Sequence, residues 1–189
     1  MVIITAKKQG DMIGLVHVYP NIFTINASSF QPNTEKYPGN MINYTTDYWW
    51  CSDLTALQSF ALHFAKPIYI TNYTFQVLEW PEYRDYPLQW KMIGINNNIE
   101  REISSVDASG FAPGILTLTY NPTSKGPFRG INTTMYGKNY NKGQVFCLSK
   151  IEIFGYFNDE FDCRISRAKY YQTFRISSSF MHTLIYNKC

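Results

Sequence analysis

The side chains able to do chemistry are sparse in this chain of 189 residues, and they do not gather at catalytic spacings. His17, His63 and His182 are scattered, so no base sits a fixed step from a nucleophile. Neither a Gly-x-Ser-x-Gly elbow nor a phosphate-binding glycine loop occurs, which removes the local signatures of an activated serine and of a nucleotide cradle. The one carboxylate cluster, Asp159, Glu160 and Asp162, reads as a solvated turn. Nothing picks out the two placed acids that a glycosidase requires. The chain is expected to act by binding, without catalysis.

Metal chemistry is equally thin. Cys51, Cys147, Cys163 and Cys189 form no Cys-x-x-Cys pair, and no histidine pair stands at ligand spacing, so zinc is not expected. Asp47 and Asp53, beside Thr45, Thr46 and Ser52, could offer oxygens to Ca²⁺, but the ligand loop is not dense. The expected cofactor set is therefore none. Reduced thiols are the expected state of the cysteines. Four Asn-x-Ser/Thr sequons begin at Asn26, Asn43, Asn72 and Asn132, and they carry no weight if the chain is not secreted. The order of the first residues, Met1-Val2-Ile3-Ile4 and then Lys7-Lys8, is not that of a secretory signal. No later stretch approaches the roughly 18 continuous apolar residues of a membrane span.

Recognition chemistry is better represented. In the connection Leu78 to Pro87, Trp80, Tyr83 and Tyr86 supply rigid aromatic area and Arg84 supplies a planar donor. Trp, Tyr and Arg are the residues that dominate interface hot spots. Tyr37, Tyr44, Tyr48 and Trp49 make an earlier segment similar in kind. From Cys163 onward Arg164, Arg167, Lys169, Arg175 and Lys188 face no acidic residue, and Tyr170, Tyr171, Phe174, Phe180 and Tyr186 are interleaved. Such an arm suits an acidic partner surface. The whole chain carries only +3, too little for a dedicated nucleic-acid binder.

The elements that must position these groups read as strands. Hydrophobic residues make up 45% and aromatics 17%, with Tyr and Phe abundant, which excludes a disordered chain and favours pleated, half-buried surfaces. Phe60, Leu62 and Phe64 alternate with Ala61 and His63, placing the three apolar side chains on one face. Lys66-Pro67 is expected to punctuate this strand from the next, Ile68 to Val77. Further strands are expected at Gln89–Gly94, closed by Asn96-Asn97-Asn98, and over residues 114–120, 128–135 and 145–154. Gly, Pro and Asn clusters between them argue an antiparallel sandwich or barrel.

Taken in order, these strands resemble the discoidin family, the C-type domain of blood-coagulation factors. Asn26-Ala27-Ser28-Ser29-Phe30 is similar to the family's opening segment, and Tyr48-Trp49-Trp50-Cys51-Ser52 to its aromatic stretch. Ser59 to Phe64 resembles the first long core strand, with Phe60 in a tryptophan's place, and Pro67 to Thr71 the next. Trp90-Lys91-Met92-Ile93-Gly94-Ile95-Asn96, Phe128-Arg129-Gly130-Ile131 and Leu148-Ser149-Lys150-Ile151-Glu152-Ile153-Phe154-Gly155 complete the series.

The resemblance implies an all-β, antiparallel jelly-roll β-sandwich of the galactose-binding-like kind over residues 22–157. An N-terminal segment would occupy 1–21 and a basic aromatic extension 158–189. It also implies a ligand surface made by loops at one end of the barrel, with Trp49 or Trp50 in the core and Arg129 structural. Extracellular members tie the ends of the domain with a disulfide, and here no cysteine precedes Cys51. That departure resembles the family's intracellular branch. The expected function is a subunit of a larger intracellular assembly, cytoplasmic and of a cytoskeletal, ciliary or flagellar kind, held by protein partners. The alternative is a carbohydrate- or phospholipid-binding, lectin-like domain.

Overall fold

The computed structural model describes residues 14–31, 36–45, 47–53, 57–78 and 84–157. Nine strands are described: β1 (Phe23–Ala27), β2 (Trp50–Cys51), β3 (Gln58–Gln76), β4 (Gln89–Asn96), β5 (Ile99–Val106), β6 (Thr117–Tyr120), β7 (Phe128–Tyr136), β8 (Cys147–Leu148) and β9 (Lys150–Phe157). A one-turn helix, α1 (Leu15–Val18), precedes them. Every strand pairing is antiparallel, giving the all-β sandwich that the motif order implies.

β3 is the hinge of the architecture. Its first half pairs with β1 and β7, in the order β1-β3-β7-β4-β5, and its second half pairs with β9 and β6. The register against β7 shifts between His63 and Ile68, and Ile68 then stands opposite both Phe128 and Phe157. A strand that changes sheets does so through such an irregularity, which bends it and raises its local twist. Lys66-Pro67 therefore marks the corner inside one 19-residue strand, where an interruption was expected.

The alternation read from the sequence is what fills the core. Phe60, Leu62 and Phe64 are buried while His63 points outward. Phe75, Ile151 and Ile153 are buried from the second half of β3 and from β9, and Trp90, Met92, Ile131 and Met135 from β4 and β7. Fully burying one such side chain is worth roughly 1.5–3 kcal/mol. Trp50, Phe60, Phe75, Trp90 and Tyr120 form a chain of rings with centroids 5.0–6.0 Å apart. The polar tips are satisfied within it: Trp90 Nε1 donates to the Tyr73 hydroxyl at 3.1 Å, which donates to Ser104 Oγ at 2.9 Å. Leu15 and Val16 belong to the same core, so the packed unit begins before residue 22.

α1 is docked by Glu152. Its carboxylate accepts from the Val16 amide at 2.8 Å and the His17 amide at 3.2 Å, two of the donors a helix start leaves without partners. A Cβ on Gly14 would collide with that carboxylate, which is why glycine stands there.

Cys51 and Cys147 are bonded as a disulfide, with Cα atoms 4.2 Å apart across 96 residues of sequence. The expectation of reduced thiols is corrected for this pair. Sheet register brings the two together, since Cys51 stands directly opposite Cys147 in the β2–β8 ladder, and sequence spacing carries no sign of it. Cys163 and Cys189 lie outside the described residues, as does the arm formed by Arg164, Arg167, Lys169, Tyr170, Tyr171 and Arg175. Among the described residues no helix is long and apolar enough to cross a membrane.

Candidate functional site

The disulfide lies beneath one end of the sandwich, where the chain leaving β1, the approach to β4 and the connection from β7 to β8 converge. Each of these segments is pinned from below. The chain after β1 is held by Ser28, whose amide donates to Ser59 O at 2.7 Å, and by Ser29 Oγ, which donates to the buried Gln58 Oε1. Trp50 Nε1 donates to Ser29 O at 3.0 Å, and the Gln31 amide donates to Cys51 O at 3.1 Å. The Ala-Ser-Ser segment is thus an anchor that sets where Phe30 and Gln31 emerge.

The connection from β7 to β8 is organised by Asn139, which is 1% exposed. Its Nδ2 donates to Asp85 Oδ1 at 2.7 Å and to Val145 O at 2.6 Å, and its Oδ1 accepts from the Gly143 amide at 2.7 Å. Lys142 takes a positive φ of 65° to close this turn. Asp85 is fixed a second time, through its main-chain oxygen, which accepts from the Cys147 amide at 3.0 Å. One side chain therefore ties the approach to β4 onto the β7–β8 connection, directly beside the disulfide.

Burial pushes the Asp85 carboxyl above its ordinary range, against the lowering effects of Asn141, Asn139 and the Lys36 charge. The Lys36 ammonium also donates to Gln31 Oε1. Beside Lys36, Tyr37 meets Phe30 edge to face at 5.5 Å, and both rings are exposed, 53% and 44%. This is an uncovered aromatic pair next to fixed amide, ammonium and carboxylate groups. It can offer a ring face to an apolar surface and directional donors and acceptors to hydroxyls around it.

The segment that carries Tyr44 and Tyr48 is held by Lys150 from β9. Its Nζ donates to three backbone carbonyls of that one segment, Asn40 at 3.1 Å, Asn43 at 2.8 Å and Tyr48 at 3.2 Å. An ammonium has three N–H donors. Burial lowers the Lys150 pKa, and the Asp47 charge opposes that shift. The oxygens considered for Ca²⁺ around Asp47 thus lie in a segment organised by an ammonium. Among the described residues no three His, Cys, Asp or Glu side chains are grouped to hold a metal.

The residues singled out from sequence fare unevenly. Trp80 and Tyr83 fall outside the described residues. Arg84 is half-buried at this end, with its Nε buried and making no hydrogen bond. Tyr86 is corrected: it is 1% exposed, its ring lies 5.7 Å from Tyr140 and 6.3 Å from Phe111, and it belongs to the core. In the irregular approach to β4, Arg84 and Asp85 are half-buried while Tyr86 turns its ring into the core. Trp50 is wholly buried, as the family resemblance implies. Tyr44 donates to Ile151 O at 3.0 Å and is structural. Phe30 and Asp85 stand in the sequence as the edge of one candidate loop and a member of the other, without a role of their own, and Asn139 only as part of a turn-forming run.

No family model matches the sequence, and no curated protein does. Solved structures do match. CpGH89CBM32-5 from Clostridium perfringens, in complex with GalNAc-β-1,3-galactose, shares 14% identity over 70% of this chain and 95% of its own, with a TM-score of 0.59. The family 32 carbohydrate-binding module of NanJ from C. perfringens, in complex with galactose, shares 14% identity over 69% of this chain and 92% of its own, at 0.56. Chitosan-binding module 1 of a chitosanase/glucanase from Paenibacillus sp. IK-5 shares 11% identity over 71% and 96%, also at 0.56. At these identities the likeness establishes the fold, which is the discoidin or galactose-binding-like sandwich.

Proposed function

We propose that this galactose-binding-like sandwich is a non-catalytic carbohydrate-binding module, and that it binds at the end built by Phe30, Gln31, Lys36, Tyr37 and Asp85. The observation that carries the reading is the exposed Phe30–Tyr37 pair standing beside the Lys36–Gln31 contact and the Asp85–Asn139 pair. A pyranose has a C–H face that lies against an aromatic ring and a rim of hydroxyls that needs donors and acceptors fixed in place. Preformed apolar area with a few placed polar groups is what small-ligand sites have in common. Structures of the same fold bound to galactose and to GalNAc-β-1,3-galactose support this choice of ligand class.

The intracellular-assembly reading, with its cytoskeletal or ciliary partner, rested on the order of the first residues, on the absent end-to-end disulfide, on reduced cysteines and on the basic arm. The Cys51–Cys147 bond removes the reduced cysteines from that support, since such bonds persist in oxidising compartments. The arm lies outside the described residues, and no observation among them favours that partner. We therefore place the working location of the module outside the reducing cytosol.

A glycan array carrying terminal galactose, N-acetylgalactosamine and glucosamine polymers is the first experiment, with anionic liposomes alongside. Binding to one glycan class, reduced at least tenfold in Phe30→Ala and Tyr37→Ala, is the expected result. A blank array, or retention on liposomes alone, would sink the reading.

A further inference from the structure

Four sequons were set aside in the sequence because nothing there placed the chain in a compartment where they matter. The disulfide changes that, because the secretory lumen, where N-glycosylation takes place, is one of the oxidising compartments in which such bonds persist. We propose that Asn43 is an N-glycosylation acceptor, distinguished from the other three sequons by its local structure.

Three of the four asparagines lie inside strands. Asn26 in β1 stands opposite Ala61, and Asn132 in β7 stands between Ala61 and Ile93, so the backbone of each is committed to a ladder. Asn72 in β3 stands opposite Phe154, and it is half-buried with its Oδ1 out of reach of water and without a hydrogen bond. Asn26 and Asn132 are exposed, as Asn43 is, but Asn43 alone of the four lies outside a strand, at the end of the 3₁₀ turn Pro38–Ile42.

Its sequon is also bent rather than extended. The Thr45 amide donates to Asn43 Oδ1 at 3.0 Å and the Thr45 hydroxyl donates to the same oxygen at 2.7 Å. This is the local side-chain-to-backbone turn that asparagine favours two residues upstream of its partner. It brings the acceptor amide and the hydroxyl of the sequon together at the surface, with both bonds made to Oδ1. The backbone beneath is held by Lys150, which donates to Asn43 O at 2.8 Å. An acceptor of this form is presented already bent at the surface, whereas the exposed Asn26 and Asn132 would have to be taken from extended, paired strands.

The reaction needs a lipid-pyrophosphate-linked oligosaccharide as donor. Asn43 Nδ2 attacks the anomeric carbon of its first sugar, the N–C bond forms, the bond from that carbon to the pyrophosphate oxygen breaks, and the lipid pyrophosphate leaves. The amide gives up one proton to a base of the transferase, and no oxidation occurs.

The test is the full chain secreted from a glycosylating eukaryotic cell behind a cleavable leader. Peptides are mapped by mass spectrometry after deglycosylation with peptide N-glycosidase in heavy-oxygen water. The expected result is label at Asn43, none at Asn72, and a linked Cys51–Cys147 peptide without reductant. Asn43→Gln and Thr45→Val should each remove the Asn43 glycan, and the second keeps the test valid if the first variant is not secreted. An unlabelled Asn43 in the secreted wild-type product overturns the proposal. Label at Asn72 equal to that at Asn43 overturns the structural selection, and free thiols at Cys51 and Cys147 overturn the compartment argument on which it stands.

Discussion

Asn139 reaches across 54 residues of sequence to hold Asp85, with Nδ2 2.7 Å from Oδ1, and so couples two of the segments that frame the binding end. Both partners are removed from water in part, and both are bonded again to the backbone around the disulfide. Asn139→Ala deletes two donors and one acceptor and leaves a half-buried carboxylate with a donor missing. Stranding buried polar groups costs roughly 1–3 kcal/mol each time, so the expected loss is about 2–3 kcal/mol. In differential scanning calorimetry this appears as a fall in Tm of roughly 5–10 °C. A variant within a degree of the wild type would show that the connection is held by other means.

Lys150→Met keeps the length of the side chain and removes its three charge-assisted hydrogen bonds to the segment 40–48. Hydrogen bonds to charged groups are worth about 1.5–3 kcal/mol each, but they are not additive in one cluster. A net loss of roughly 2–3 kcal/mol is expected in urea unfolding, with faster amide exchange confined to this segment. Lys150→Arg should recover little, since a planar guanidinium cannot direct three donors from one nitrogen.

The pH dependence of stability has a definite sign at Glu152. Burial raises its pKa, and that effect outweighs the hydrogen bonds from Val16, Ile153, Tyr44 and His17 that favour the charged form. A carboxyl with a raised folded-state pKa holds more protons folded than unfolded between its ordinary value and its raised one. Stability therefore falls as pH rises through that window. Urea midpoints measured across it should decline for the wild type relative to Glu152→Gln, whose side chain does not titrate. Asp85, shifted in the same direction, is present in both proteins and cancels from the difference.

Opening the disulfide should be costly, because it closes a loop of 96 residues. Loop-closure entropy of this size corresponds to about 4–5 kcal/mol, reduced in practice by residual structure in the unfolded chain. Cys51→Ala with Cys147→Ala should lower the urea midpoint accordingly. Reductant should produce the same shift in the wild type and none in the variant.

Much of the sandwich was legible in the sequence, and the reason is local. Phe60, Leu62 and Phe64 declare a face by alternation, and the double asparagine at Asn97 and Asn98, with φ of 49° and 63°, sits in the tight turn between β4 and β5. β5 itself was missed because Glu100, Arg101 and Glu102 dilute its apolar pattern on an edge strand. The corner of β3 was read as a break because a lysine and a proline interrupt the pattern where the strand changes sheets. What sequence could not supply were contacts fixed by register over long separations: Cys51 with Cys147, Asn139 with Asp85, Lys150 with three carbonyls. Tyr86 shows the same limit from the other side, since an aromatic in a polar connection has the composition of a binding residue whether it faces in or out.

Sugar binding at the Phe30–Tyr37 end is open to direct measurement. Isothermal titration of the full chain with galactose and with GalNAc-β-1,3-galactose, repeated on Tyr37→Ala and on Tyr156→Ala, tests it most directly. Tyr156 is an exposed ring stacked on Tyr69 on another part of the surface, so it controls for the loss of any exposed aromatic. Saturable binding to at least one of the two sugars is expected, unchanged in Tyr156→Ala and weakened at least tenfold in Tyr37→Ala. No heat with either sugar at millimolar concentration, or equal affinity in all three proteins, would contradict it.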